Sequence, residues 1–357
     1  MTMERIEATR NEMRRRGIDA LLVSVGSDLP YLTSYRAFPL ERITALVLPV
    51  DGDPALFVPR LEAPRVNTTV EVVPWDETDD PIGRMAGLLP THGTIAVGDQ
   101  MWAAFLIAFQ RHLPEASFVD AEPIMASLRV IKEPGEIEAL RDAAHGVDRV
   151  ADELLEVRFS GKTEREISRT VTDMTVAAGH DSVSFAIVAS GPNGASPHHE
   201  PSDRVIRDGD AIVVDFGGRV RGYGSDTTRM YCVGTPPDGF NEAYAVLHDA
   251  QRAAVAAVRP GVTAESIDAV ARSIIDDAGY GDAFIHRLGH GIGLDAHEQP
   301  YLVEGNAQVI RAGMAFSIEP GIYLPNRWGM RIEDIVVAVD GGVDRLNQSS
   351  RALRFVD

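Results

Sequence analysis

The sequence predicts a two-part α/β fold in which helices pack on mixed β-sheets. Patterns typical of helices and strands alternate in the first part, and in the second part helices followed by strand pairs occur twice. The chain has 357 residues, 45% of them hydrophobic and 24% charged, which is enough for two domains with cores of their own. We therefore expect one domain at residues 1–127 and a second at 128–357.

The first part alternates amphipathic and buried segments. The predicted elements are a helix at 3–16 ended by Gly17, a strand at 20–25, a hairpin at 44–59 that turns at 51–53, a strand at 94–99 and a helix at 101–113. Residues 127–135 are predicted to form a connector. Alternation of this kind favours helices packed on a mixed sheet.

The second part has a rough internal symmetry. Pro134 is well placed to begin a long helix, which Gly161 interrupts, and Thr163 with Glu166 forms a capping box for the next helix. The further predictions are strands at 184–191, 211–218, 229–234, 315–324 and 331–346 and helices at 240–258 and 263–278. Each half thus contains helices followed by a strand pair.

Composition and charge exclude several classes of function. With 34 Lys and Arg against 53 Asp and Glu, the net charge of −19 argues against a nucleic-acid partner. Cys232 is the only cysteine, so neither a disulfide framework nor a thiolate metal site is expected, and an apolar run makes it a core residue. No segment approaches the roughly 18 apolar residues of a membrane span, and no signal-type apolar region follows the N-terminus. We expect a cytoplasmic enzyme that does not bind membranes.

A set of oxygen and nitrogen ligands occurs in the second part. Its members are Asp215 and Asp226 in DFGGRVRGYGSD, His290 in GHGIG, Glu319 in SIEPG and Glu333 in RIED. This hard donor set suits two divalent ions, with Mn²⁺ or Co²⁺ favoured and Zn²⁺ or Fe²⁺ as alternatives. Two such ions generate hydroxide from water near neutral pH and polarise a carbonyl, so the pattern predicts hydrolysis.

The carboxylates are predicted to converge. Asp215 and Asp226 flank one turn, whereas Glu319 and Glu333 flank the other, and facing residues of an antiparallel pair lie about 5 Å apart. Acidic residues beside glycine turns are also common without any metal. However, Asp215 follows the apolar run AIVV and Glu319 follows AFSI, so both are expected at buried strand positions. Burial of unpaired carboxylates is costly, which favours cations.

Four motifs together resemble those of the pita-bread metallopeptidases, in particular Xaa-Pro dipeptidases (prolidases) and Xaa-Pro aminopeptidases. They are DFG-x₈-DTTR, GHGIGLDAHE-x-P, SIEPGIY and GMRIED, in the family's order and at compatible spacings. The segments RGIDALLVS and LRVIKEPGEIEALRDAA extend the resemblance over nearly the whole chain. It implies a creatinase-like α/β domain at 1–127 and a pita-bread catalytic domain with pseudo-twofold symmetry at 128–357.

The resemblance assigns a role to each ligand. Asp215 is expected to hold one ion, His290 and Glu319 the other, while Asp226 and Glu333 bridge both. A metal-bridging hydroxide would then attack the scissile carbonyl, and Glu319 would take up its proton.

Further side chains are predicted to contact substrate. By resemblance His198 steadies the oxyanion and His297 lines the site, although the neighbouring His199 could replace His198. Arg331 could hold a carboxylate ligand, bind a substrate carboxylate or form an ordinary salt bridge. Phe185 could wall a proline pocket or simply belong to the core.

The predicted reaction is hydrolysis of the peptide bond before proline in short peptides. That bond is a tertiary amide without an N–H, so a site that acts on the carbonyl suits it. Dipeptidase and aminopeptidase activities both stay open. The complete ligand set argues against creatinase-type metal-free relatives and non-catalytic relatives, and the extra N-terminal domain argues against methionine aminopeptidase. The alternative is a metal-dependent hydrolase of a non-peptide small molecule. The resemblance also implies a homodimer.

Overall fold

A computed structural model describes residues 2–357 and divides into two compact units, Met1–Arg129 and Val130–Asp357. Both units combine helices with β-sheets, which confirms the predicted α/β class. Within residues 2–357 no helix is both long and apolar enough to cross a membrane.

The N-terminal unit is built around one mixed sheet. Its helices are α1 (Thr2–Arg16), α2 (Asp28–Thr33), α3 (Pro81–Ala86), α4 (Ala103–His112) and α5 (Glu122–Arg129). Its strands are β1 (Ala20–Val23), β2 (Ala45–Pro49), β3 (Ala55–Pro59), β4 (Glu71–Trp75), β5 (Thr94–Val97) and β6 (Ser117–Asp120), in the order β4-β3-β2-β1-β5-β6. The predicted hairpin is the antiparallel pair β2–β3, and the sheet's core includes Leu22, Val47 and Phe57.

Several elements of this unit escaped the sequence pattern. The edge strands β4 and β6 are partly exposed, and β4 contains a proline, so neither shows the alternation of a buried strand. The predicted connector also begins later than expected. Residues 127–129 complete helix α5, because no glycine or proline interrupts the sequence between Ile124 and Val130.

The C-terminal unit contains two larger sheets and a two-stranded ribbon. Its helices are α6 (Pro134–Glu153), α7 (Glu164–Ala177), α8 (Phe240–Ala257) and α9 (Ala264–Asp277). Its strands are β7 (Ser182–Ser190), β8 (Ala211–Val220), β9 (Tyr223–Gly224), β10 (Thr227–Val233), β11 (Gly289–Gly291), β12 (Glu298–Leu302), β13 (Ala315–Ile318), β14 (Gly321–Leu324), β15 (Trp328–Arg331), β16 (Asp334–Val339), β17 (Gly342–Arg345) and β18 (Arg354–Val356). The sheets run β18-β10-β8-β7, with β9 beside β8, and β12-β11-β13-β16-β17, while β14 pairs with β15.

The two halves of this unit repeat one arrangement. Thr163 caps α7 and forms an isolated bridge with Val205, while Thr263 caps α9 and forms the same kind of bridge with Val309. One apolar cluster joins α6 and α7 to β8 and β10, and a larger cluster contains α8, α9, β13 and β16. Cys232 is buried on β10, as expected for a core residue. The repetition agrees with the predicted pseudo-twofold symmetry.

Candidate metal centre

Strands β8 and β10 carry the first pair of acidic residues. Asp215 lies within β8 opposite Thr228 on β10, and Asp226 directly precedes β10. Both carboxylates are buried. The chain returns so closely that a Cβ at Gly217 would lie 2.0 Å from the carbonyl oxygen of Ser225. Glycine after Asp215-Phe216 is therefore required for this approach.

The second acidic pair lies where an antiparallel strand pair is interrupted. Ile318 pairs with Asp334 on one side of the interruption, and Gly321 pairs with Arg331 on the other. Glu319 and Glu333 are among the four residues between these pairs that leave regular pairing, and their carboxylates line the cavity. Glu319 and Glu333 therefore flank the β14–β15 ribbon and its turn.

Thr228 connects the two halves of the site. Its carbonyl accepts a hydrogen bond from the Glu333 N–H at 3.3 Å, and its hydroxyl donates to Glu333 Oε2 at 2.8 Å. Since Thr228 is also the partner of Asp215, the two acidic pairs are fixed relative to each other.

His290 enters the site from β11. A Cβ at Gly289 would lie 2.0 Å from the Ser317 carbonyl oxygen, and one at Gly291 would lie 2.1 Å from that of Gln299. The two glycines therefore let β11 pass close to its neighbours. His290 Nδ1 lies 3.0 Å from the Gly291 carbonyl and donates to it, which leaves a lone pair on Nε2. Nε2 lies 3.3 Å from Glu319 Oε1, in the position of a metal ligand.

The side chains form overlapping groups of candidate ligands. The groups, each with ligand atoms within 4.8 Å of one another, are Asp215–Asp226–Glu333, His290–Glu319–Glu333 and Asp226–His290–His297. Glu333 belongs to the first two groups, and Asp226 to the first and third. Shared members of this kind suit two neighbouring cations.

The donor atoms themselves fit cations. Among the described residues, Asp215 Oδ1 and Glu333 Oε1 are buried without a hydrogen-bond partner. Burial raises the pKa of Asp226, and repulsion from Asp215 and Glu319 raises it further. Burial likewise raises the pKa of Glu333, and it raises that of Glu319 to about 7. Positive charge in the site would remove this repulsion and satisfy the orphaned oxygens.

Arg331 forms hydrogen bonds with residues of the acidic cluster and its surroundings. Its guanidinium donates to Asp215 Oδ2 at 2.5 Å, to the Tyr323 hydroxyl at 2.8 Å and to the Thr228 hydroxyl at 3.0 Å. Its Nη atoms also lie 3.4 and 3.5 Å from the Pro197 carbonyl. All three nitrogens are engaged, so the geometry favours holding Asp215 over binding a substrate carboxylate.

All of the predicted site residues line one cavity of about 810 Å³. His198 and His297 are exposed on its wall, and the ring of His297 lies 3.9 Å from that of His290. Phe185 and Ile187 supply an apolar wall. His199 instead turns away and bonds through Nε2 to Glu164 at 2.8 Å, so His198 is the member of this pair that faces the cavity.

Sequence reasoning missed three polar residues of the cavity region. His286 and Arg287 line the cavity, and the Tyr323 hydroxyl donates to His286 Nε2 at 3.0 Å. Burial and the charge of Arg331 lower the pKa of His286 to about 4, so the ring is neutral at pH 7. Only their closeness to predicted ligands in the sequence could have indicated them: His286 comes four residues before His290, and Tyr323 comes four residues after Glu319.

Glu164 organises the loop that carries His198. It is fully buried at the first position of α7 and accepts hydrogen bonds at 2.6 to 3.2 Å. The donors are the N–H and hydroxyl groups of Ser190 and Ser202, the Asn193 amide and the His199 ring. Burial raises the pKa of Glu164, but the hydrogen bonds outweigh it and lower the pKa to about 2. The ionised carboxylate therefore ties both ends of the loop to α7.

Replacing Glu164 with Gln is expected to lower the free energy of unfolding at pH 7 by about 3 kcal/mol, because each pKa unit corresponds to about 1.4 kcal/mol. A carboxyl group whose pKa is lower in the folded than in the unfolded protein stabilises the fold at pH values above its unfolded pKa, here 4.5. This stabilisation is lost as the pH falls from 4.5 towards the folded pKa of about 2. The difference between wild type and E164Q, measured by denaturant unfolding, should therefore narrow below pH 4.5. The control is E166Q, which removes an exposed carboxylate on the same helix and should cost clearly less stability than E164Q. Equal losses of stability in E164Q and E166Q would contradict the role of Glu164 in holding the loop. A difference between wild type and E164Q that does not change with pH would contradict it as well.

Known proteins resemble the chain over both units. Residues 138–340 match metallopeptidase family M24, and residues 5–131 match the creatinase/prolidase N-terminal domain. A probable dipeptidase PepE from Mycobacterium bovis is 45% identical over 353 residues, which span 95% of this chain and 92% of that protein. An Xaa-Pro dipeptidase from Lactobacillus delbrueckii subsp. lactis is 35% identical, with 98% of each chain covered. The crystal structure of a prolidase from Thermococcus sibiricus superposes with a TM-score of 0.96 at 38% identity, over 100% of this chain and 99% of that one.

Fold and site together define a metallohydrolase, with carboxylate and imidazole ligands on or next to strands of both larger sheets of the C-terminal unit. The match to the family extends over more than half of the chain. The chain belongs to metallopeptidase family M24, and it is a peptidase.

Proposed function

We propose that the chain hydrolyses the peptide bond before proline in short peptides with the help of two divalent cations. The observation that carries this proposal is the pair of overlapping ligand groups that share Glu333. Both groups open into the cavity that His198 and His297 line.

In this proposal two ligand sets, which share Asp226 and Glu333, would hold the two cations. Asp215, Asp226 and Glu333 would hold one ion, and His290, Glu319, Glu333 and Asp226 would hold the other. Mn²⁺ and Co²⁺ are the proposed ions, since the donors are carboxylate oxygens and one imidazole nitrogen. When bound, such a pair of cations lowers the pKa of water and polarises a carbonyl oxygen.

The protein's own groups position the reacting atoms. Glu319 is the proposed acceptor for the proton of the attacking water, and the Ser317 hydroxyl, which donates to Glu319 Oε1 at 3.0 Å, orients it. His198 and His297 lie at the cavity wall, where a donated N–H can stabilise negative charge on the carbonyl oxygen. Arg331 fixes Asp215 through their ion pair.

Proline specificity fits the apolar side of the cavity. Phe185 and Ile187 offer a surface for the pyrrolidine ring, and the site does not depend on a scissile N–H, which a bond before proline lacks. Relatives named Xaa-Pro dipeptidase and prolidase support the same substrate class. The domain limits 1–127 and 128–357 and the homodimer stay predictions based on the resemblance.

The test is a substrate panel with the metal-loaded protein. We expect cleavage of Xaa-Pro substrates such as Ala-Pro, and loss of that cleavage with a chelator. Cleavage of Ala-Pro alone would identify a dipeptidase, whereas cleavage of Ala-Pro-Ala would identify an aminopeptidase. If neither peptide is cleaved although the protein holds its metals, the peptide proposal is wrong and a small-molecule substrate becomes the better hypothesis.

A further inference from the structure

Arg287 stands apart among the charged residues of the cavity. It comes three residues before His290, is half-buried and lines the cavity. Its guanidinium stacks over the Tyr301 ring, with Cζ 4.1 Å from the ring centroid. Among residues 2–357 it has no carboxylate partner, and the aromatic face holds the cation in place without neutralising it.

Other arginines of this unit are paired where they are shielded from solvent. Arg331 pairs with Asp215, and Arg272 forms two hydrogen bonds with Asp268. Arg287 therefore leaves a planar, permanently charged fork of donors available at the cavity wall. A fork of this kind matches the two oxygens of a carboxylate.

The charge of Arg287 also reaches the reacting part of the cavity. Arg287 lines the same cavity as His297 and Glu319, and it comes three residues before His290 in the chain. In a dipeptide the C-terminal carboxylate is only a few covalent bonds beyond the scissile carbonyl. A cation that binds it must accordingly lie close to the groups that surround the carbonyl, as Arg287 does.

We infer that Arg287, held against Tyr301, binds the free C-terminal carboxylate of the substrate and so selects dipeptides over longer peptides. This inference rests on the proposed peptidase function. A tripeptide presents an uncharged amide at the same position, so it loses the charge-assisted hydrogen bonds. Arg331 cannot take this role while its three nitrogens contact Asp215, Tyr323 and Thr228.

The test compares Ala-Pro with its C-terminal amide, which differ in the carboxylate alone. In the metal-loaded wild type, kcat/KM is expected to favour the free acid. Arg287→Gln should reduce the ratio of acid to amide by about 10- to 100-fold, the effect of losing a hydrogen bond to a charged group, chiefly through KM. Arg287→Lys, which keeps the charge without the fork, should retain an intermediate ratio. An unchanged ratio in Arg287→Gln would overturn the inference.

Arg311→Gln is the matched control, since Arg311 is exposed and lies outside the cavity lining. It removes the same charge from the same unit and should keep the wild-type ratio. A drop in the ratio as large as that of Arg287→Gln would assign the effect to net charge and overturn the inference.

A binding measurement separates failure of this inference from failure of the proposed function. Calorimetry with proline and prolinamide on the metal-loaded proteins reports carboxylate binding without catalysis. If wild type prefers proline and Arg287→Gln does not, the inference is supported even when no Xaa-Pro peptide is cleaved. That absence of cleavage would refute only the proposed Xaa-Pro activity. No preference in wild type, or an equal preference in both proteins, overturns it.

Discussion

Replacing Asp226 with Asn is expected to remove metal from both positions and to reduce kcat/KM by about 10²- to 10³-fold, a loss typical of a missing electrostatic catalyst. Asp226 is 4% exposed and belongs to one candidate ligand group with Asp215 and Glu333 and to another with His290. Asparagine keeps the size of the side chain but not its charge. Because Asp226 belongs to both candidate ligand groups, its replacement should lower the occupancy of both ion positions and not of one alone. Metal content per chain, measured by plasma mass spectrometry after dialysis, checks this directly.

The control for this prediction is Asp238→Asn, the same substitution at an exposed carboxylate. It should leave metal content and activity at the wild-type level. Metal-free Asp226→Asn should be at least as thermally stable as metal-free wild type, because a buried group whose pKa is raised by burial and by repulsion has been replaced with a neutral one. Full metal content and activity in Asp226→Asn would contradict the shared role.

Replacing Arg229 with Met should produce the largest loss of stability, about 3–5 kcal/mol, the usual cost of removing one partner of a buried ion pair. Arg229 is 1% exposed and donates to Asp334 Oδ1 at 2.7 Å and to the Glu333 carbonyl at 2.6 Å. Asp334 is fully buried and would keep Gln251 Nε2 at 3.1 Å and two more distant arginines. In a unit of this size we expect Tm to fall by about 10 °C. Calorimetry of the metal-free protein measures this without any contribution from metal binding.

Arg345→Met provides the comparison for Arg229. Arg345 Nε lies 3.4 Å from the other oxygen of Asp334, but its side chain is 28% exposed. Solvent screening should limit its loss to about 1 kcal/mol. Equal losses in the two variants would show that Arg229 is not the main counter-charge of Asp334.

The ligand residues could be predicted from the sequence because each lies in a short segment with its own physical signal. Asp215 and Glu319 follow apolar runs, and His290 stands between glycines whose missing side chains permit close approach. A carboxylate in a buried strand needs compensation wherever the fold places it. The pattern of helices and strand pairs likewise predicted the internal symmetry.

Roles that depend on distant partners could not be predicted. His198 and His199 are indistinguishable as neighbours, and Glu164, 35 residues before His199, decides which of them faces the cavity. The function of Arg331 depends on Asp215, 116 residues away in sequence. Arg287 becomes notable only because the fold provides Tyr301 and no acidic partner among the described residues.

The most direct test of the two-cation account is a titration of metal-free wild type with Mn²⁺ in which bound metal and Ala-Pro cleavage are followed in the same samples. The account predicts that binding saturates at two ions per chain and that Ala-Pro cleavage rises as both ion positions are filled. Saturation at one ion with full activity, or full activity in protein stripped of metal, would contradict it.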